Sequence, residues 1–172
     1  MPGRDGSRTI AHISDIHCGG PDFVPSLMER AVAEIKVVDE PVTVVVSLKG
    51  WVRALKGHEL DVPTLAFKAG DGLYGAFPCR SVDTLVVIGS NGRVYSVAVA
   101  GLPGVRGDGA PVTSLIDLEA GTQPAHYVAG VADSLLLLAH TGGFGLLAQL
   151  GDLHSRQRGG KAFLALEAGQ HL

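Results

Sequence analysis

The chain has 172 residues, 46% of them hydrophobic and 5% aromatic, with 24 Gly and 9 Pro. That is enough apolar matter for one domain, or one plus an appendage, with a core of Val, Leu, Ile and Ala. A formal net charge of −3 argues against a uniformly basic nucleic-acid binder, so attraction for a polyanion must come from where the charges lie.

No apolar run approaches the roughly 20 residues that span a bilayer. Residues 1–8 read as a flexible tail, and no apolar segment follows them as a signal peptide requires. Cys18 and Cys79 are far apart and lack a CxxC partner, as in a reduced cytosolic protein. Residues 9–36 read as one strand, one loop and one helix. The strand is TIAHIS (9–14), and the loop is DIHCGG. The helix opens near Pro21-Asp22 and carries Phe23, Leu27, Ala31 and Ile35 on one face. A lone strand–helix unit cannot close a core by itself.

From about Val37 the helical period disappears, and short apolar runs alternate with Gly-containing turns. The runs repeat: VVVSLKGWVRA (44–54), VVIGSNGRVYS (86–96) and LLLAHTGGFGL (136–146). Aligning Gly50, Gly92 and Gly142 gives spacings of 42 and 50 residues, the size of a four-stranded blade. Asn91-Gly92 flanked by strands predicts a short hairpin, because both residues tolerate positive φ. Lys49-Gly50 and Gly142-Gly143 hold the same place in the other units. A second piece follows each hairpin: FKAGDG (67–72), VRGDGAP (105–111) and RQRGGKA (156–162), each with a basic residue before a Gly-rich turn. LEAG then recurs at 118–121 and 166–169. The fold class predicted is mainly β, a partial propeller-like array of about three four-stranded blades over 37–172, behind the strand–loop–helix segment.

These stretches, with KAGDG, SNGRVYSV and GDLHSRQRGGKAFLALEAG, resemble the C-terminal β-pinwheel of the bacterial topoisomerase IV A-subunit over about 37–172. RQRGGKA is also similar to the basic Gly-containing box of the gyrase A-subunit, with Ala162 where that box has its last Gly. The resemblance implies a DNA-binding, DNA-wrapping fragment of a type II topoisomerase, bound to duplex DNA through backbone phosphates. It implies Lys49, Arg53, Lys56, Arg93, Arg106, Arg156, Arg158 and Lys161 as contact residues. It also implies partnership with the enzyme's B-subunit plus a second A-subunit, in the bacterial cytoplasm at the nucleoid. The family's cleavage tyrosine lies upstream of this domain, so Tyr74, Tyr95 and Tyr127 take no catalytic role; Tyr95 reads as a packing residue. No cofactor, no membrane contact and no catalysis by the chain alone are expected.

The front piece resembles something else. IAHISDIHCGG looks like the opening of calcineurin-like metallophosphoesterases, whose first motif is Asp-x-His-x-Gly, here Asp15, His17 and Gly19. A carboxylate and an imidazole at a strand end can hold a hard or borderline metal. The family's later Gly-Asn-His and Gly-His-x-His motifs have no counterpart, and Gly151-Asp152-Leu153-His154 is better explained by the blade repeat. Asp15 and His17 therefore read as vestigial candidates, and the join near residue 36 reads as a fusion of unlike pieces. A metallophosphoesterase-type hydrolase and a non-catalytic protein-interaction array remain the alternatives.

Overall fold

The structure is a computed structural model and describes residues 39–59, 65–104, 107–167 and 169–172. The chain divides into two compact units, Met1–Lys36 and Val37–Leu172, and all described residues belong to the second. The predicted strand and helix of residues 9–36, with Asp15 and His17, lie outside the described residues.

The described unit is built from ten strands and three short 3-10 turns. β1 (Pro41–Ser47) and β2 (Trp51–Lys56) form the first hairpin. β3 (Leu73–Arg80) pairs with the free edge of β1, and the two-residue β6 (Ala110–Pro111) pairs with the free edge of β2. The second sheet repeats this order. β4 (Thr84–Gly89) and β5 (Arg93–Ala98) form the hairpin, and β7 (Pro124–Gly130) and β10 (Lys161–Ala162) flank it. β6 comes after the β4–β5 hairpin in sequence yet completes the first sheet. β10 likewise comes after β8 (Leu135–Ala139) and β9 (Gly145–Gln149) and completes the second. Each four-stranded blade is thus closed by a short strand from the next repeat. The third unit differs from the expected four-stranded blade: among the described residues it is the β8–β9 hairpin alone. Its two flanking positions are those filled elsewhere by strands from later in the chain.

The strands read as unbroken apolar runs because both faces of a middle blade are covered. On β4, Leu85 and Val87 face the first blade, where they meet Val42, Val44, Val46 and Val52. Val86, Ile88 and Val94 face the other way, onto Leu138, Ala148, Leu150 and Leu153 of the third unit. Tyr95 is fully buried in the first cluster, as the packing reading requires.

The predicted hairpins form, each with a single left-handed residue in its loop. Among the described residues positive φ occurs at glycine alone, so Asn91 is not left-handed. Gly50, Gly92 and Gly143 have φ of 76°, 77° and 82°, and their amides close turns onto Ser47, Gly89 and His140. Each loop is a turn of ordinary hand followed by one left-handed glycine, a longer connection than the two-residue mirror-image type. The equivalent of Gly50 and Gly92 is therefore Gly143, not Gly142, and the second repeat spacing is one residue longer than the sequence alignment suggested.

Candidate nucleic-acid interface

The Gly-rich pieces sort into two devices, not one. Asp71 N donates to Lys68 O, Thr122 N to Glu119 O and Gln170 N to Glu167 O, while Gly70, Gly121 and Gly169 all have positive φ. FKAG (67–70) is thus the counterpart of the two LEAG stretches, a turn that leads into the blade's third strand. It does not correspond to RGDGA or RGGKA. The sequence grouped it with those because Lys68 mimics their basic residue, while its structural partners carry Glu119 and Glu167 at that place.

The second device is the strap that closes each blade. Gly109 (φ 93°) precedes β6, and Gly160 (φ 64°) precedes β10. A Cβ on Gly109 would lie 2.4 Å from the carbonyl oxygen of Val52, and one on Gly160 would lie 2.4 Å from that of Val94. A strand arginine holds each strap. Arg53 donates to Gly107 O at 3.3 Å and Ala66 O at 3.0 Å, with its guanidinium 5.6 Å from the Phe67 ring centre. Arg93 donates to Gly159 O at 3.1 Å and Gly160 O at 3.3 Å and pairs with Glu119 at 3.3 Å.

The predicted contact residues therefore differ in how free they are. Arg53 and Arg93 are half-buried and committed to carbonyl oxygens. Lys161 donates to Asp152 O at 2.6 Å. Arg158, 63% exposed, reaches Ser114 O at 3.3 Å and Asp117 at 3.6 Å. Lys49 at the first hairpin tip, Lys56 at the end of β2 and Arg156 in the strap are exposed, and none forms a salt bridge with another described residue. Arg106 lies outside the described residues. The structure brings Arg93, Arg158 and Lys161 to one strap, and Arg53 and Lys68 to the cleft beside the other.

That cleft holds two features the sequence reading missed. Lys68 Nζ sits 3.3 Å from the ring centre of Trp51, a cation over an aromatic face, and lies 3.8 Å from Asp108. Asp71 accepts the amides of Lys49 at 3.0 Å and Gly72 at 2.8 Å. Desolvation pulls its pKa upward, but the Ser47 hydroxyl, these amides and the Lys49 charge outweigh it and hold the carboxyl below its ordinary range. Gly70-Asp71-Gly72 is a structural turn by this geometry. So is Gly151-Asp152-Leu153-His154: Leu150–Leu153 forms a 3-10 turn whose Asp152 caps Gln149 N, with Leu150 and Leu153 buried. Among the described residues no three His, Cys, Asp or Glu side chains converge as metal ligands.

No family model matches the chain. It is 40% identical over 144 residues to the A-subunit of DNA topoisomerase 4 from Neisseria gonorrhoeae, covering 82% of this chain and 18% of that protein. To the corresponding protein of Escherichia coli it is 36% identical over 164 residues, covering 92% and 22%. The chain spans about a fifth of the length of these relatives. Among solved structures, the E. coli ParC C-terminal domain superposes with a TM-score of 0.71 at 39% identity, over 77% of this chain and 54% of that one. By sequence and by fold, this chain is a homologue of the C-terminal β-pinwheel domain of the DNA topoisomerase IV A-subunit.

Proposed function

We propose that the β unit binds duplex DNA through its backbone phosphates and performs no catalysis of its own. The observation that carries this reading is the match to the ParC C-terminal domain, at a level of identity that extends beyond shared architecture. The exposed cations support it: Lys49, Lys56, Arg156 and Arg158 offer charge without having to break a buried bond, and Arg106 joins them by sequence. Arg53, Arg93 and Lys161 hold the straps, one of which carries Arg156 and Arg158. Phosphate contacts position a duplex without reading its sequence. The acidic residues keep the unit from being a general polyanion sink, so binding is weak and salt-sensitive. In a complete enzyme such a unit would hold DNA for an A-subunit dimer working with the B-subunit, in the bacterial cytoplasm at the nucleoid. No helix among the described residues is long and apolar enough to cross a membrane. The test is fluorescence anisotropy with labelled duplexes of unrelated sequence. Similar affinities that fall steeply with salt support the proposal; absence of binding at about 50 mM salt, where phosphate contacts are strongest, refutes it.

A further inference from the structure

We propose that Asp117 is an affinity-limiting residue, whose carboxylate holds the Arg158 guanidinium back from the duplex. The inference rests on the phosphate-binding reading above and adds to it a residue of opposite sign. Segment 112–118 is fixed from inside: Val112 and Ile116 are buried, and Leu115 and Leu118 pack against the same cluster. With these neighbours turned inward, Asp117 faces outward, its side chain 67% exposed. The strap of the second blade runs alongside. Asp117 N donates to Arg158 O at 3.0 Å. Arg158 Nη2 is shared between Ser114 O at 3.3 Å and Asp117 Oδ1 at 3.6 Å. The guanidinium is thus drawn onto the segment, and its charge is partly cancelled there. Arg156 on the same strap is exposed and forms no salt bridge with another described residue.

The repeat shows that the fold does not require this acid. Asp117 immediately precedes the LEAG turn of the second blade, and the same place before the two equivalent turns holds Ala66 and Ala165. The backbone bond to Arg158 O is open to any residue with an N–H. An ion pair this exposed adds little to stability. Glu119 is a different case. Its partner Arg93 is half-buried and holds Gly159 O and Gly160 O, so that pair belongs to the closure of the blade. What Asp117 changes is the charge that Arg158 presents. A phosphate approaching Arg158 meets a carboxylate already on one of its nitrogens and must displace it or be repelled by it. A unit charge about 4 Å away in water weighs roughly fivefold on an equilibrium, and salt screens that weight. Asp117 therefore lowers the affinity of the strap without altering its shape.

Fluorescence anisotropy of a labelled duplex with the full chain, at about 50 mM salt where exposed charges are only partly screened, tests this. Asp117→Asn and Asp117→Ala, the second placing there the residue of the other repeats, should each tighten binding about two- to fivefold. The gain should shrink toward about 200 mM salt. Circular dichroism and melting temperature should stay as in the wild type. In an Arg158→Gln background Asp117→Asn should lose its gain. Asp133→Asn makes the same change of charge at an exposed position between β7 and β8, and should fall well short of it. Duplex binding that Asp117→Asn leaves unchanged overturns the proposal and leaves the phosphate-binding reading standing. A gain of equal size without Arg158, or from Asp133→Asn, overturns it as well, because the effect would then be one of net charge alone. A wild-type chain that binds no duplex overturns both.

Discussion

Replacing Gly160 by alanine should destabilise the β unit far more than replacing its neighbour Gly159. Gly160 has φ of 64°, a region that costs an ordinary residue about 1–2 kcal/mol. Its new Cβ would also stand 2.4 Å from the Val94 carbonyl oxygen and 2.7 Å from a ring carbon of Tyr95. The oxygen belongs to the backbone of a central strand and Tyr95 is fully buried, so neither can swing away. Relief requires β10 to move off β5, an overpacking cost of about 1–3 kcal/mol. The total is about 3 kcal/mol, near a 10 °C loss of melting temperature for a unit of this size. At Gly159 φ is not positive and a Cβ would meet nothing within 4 Å. Gly159→Ala should therefore be neutral, or slightly stabilising through loss of unfolded-state entropy. Urea denaturation followed by circular dichroism measures both. Equal melting of the two variants would refute the strap as a tightly fitted closure. Gly109→Ala should behave like Gly160→Ala, since its Cβ meets the Val52 carbonyl at the same distance.

Other consequences follow from the polar contacts. Burial pushes the Cys79 thiol up from 9.0 to about 11 and the Tyr127 phenol from 10.0 to about 12. Both groups ionise less readily folded than unfolded. Their contribution is therefore complete below the unfolded values and is lost as pH rises through the folded ones, so urea midpoints should fall between about pH 9 and 12. Asp71 works in the opposite sense: its depressed pKa gives stability present above the ordinary 3.8 and lost as pH falls through the lower folded value. Asp71→Asn should blunt the acid-side loss in a pH titration of the melting temperature. Trp51 is the sole tryptophan of the chain, and Lys68 covers its ring. Lys68→Ala should red-shift its emission and increase iodide quenching, at a stability cost of about 0.5–1 kcal/mol. Arg93→Gln should cost about 1.5–3 kcal/mol in urea denaturation, since two carbonyl oxygens lose a charged donor. Lys56→Gln, with no salt bridge to another described residue, should be silent in the same assay.

Much of the fold was legible because two signals agreed: apolar runs of strand length and glycines at recurring offsets. The register of the repeat was less so. Gly142-Gly143 offers two glycines for one left-handed position, and the choice depends on which amide closes the turn on His140. The strap and the LEAG-type turn were conflated because both carry a Gly-rich loop with a charged residue nearby. Only the hydrogen bonds of Asp71, Thr122 and Gln170 separate them. That the third unit holds two strands could not be read from composition, because closure is non-local: each blade takes its last strand from the following repeat. The candidate site was legible as a list of cations but not as a set of roles. Arg53 and Arg93 resemble Lys49 and Arg156 in sequence, yet half-burial and carbonyl acceptors commit them to the strap.

The central claim, phosphate-mediated duplex binding, is tested most directly by the salt dependence of affinity in the Arg156→Gln, Arg158→Gln, Lys161→Gln triple variant. If three or four cations of the intact chain meet phosphates, the log–log slope should be roughly −2.7 to −3.6. Raising salt from about 50 to 200 mM should then weaken binding on the order of 40- to 150-fold. The triple variant should flatten the slope by about two, one for each of the exposed Arg156 and Arg158, with Lys161 committed to Asp152 O, while Arg4→Gln with Arg8→Gln should leave it unchanged. Unaltered affinity and slope in the triple variant would contradict the account. The basic strap would then be a structural turn and nothing more.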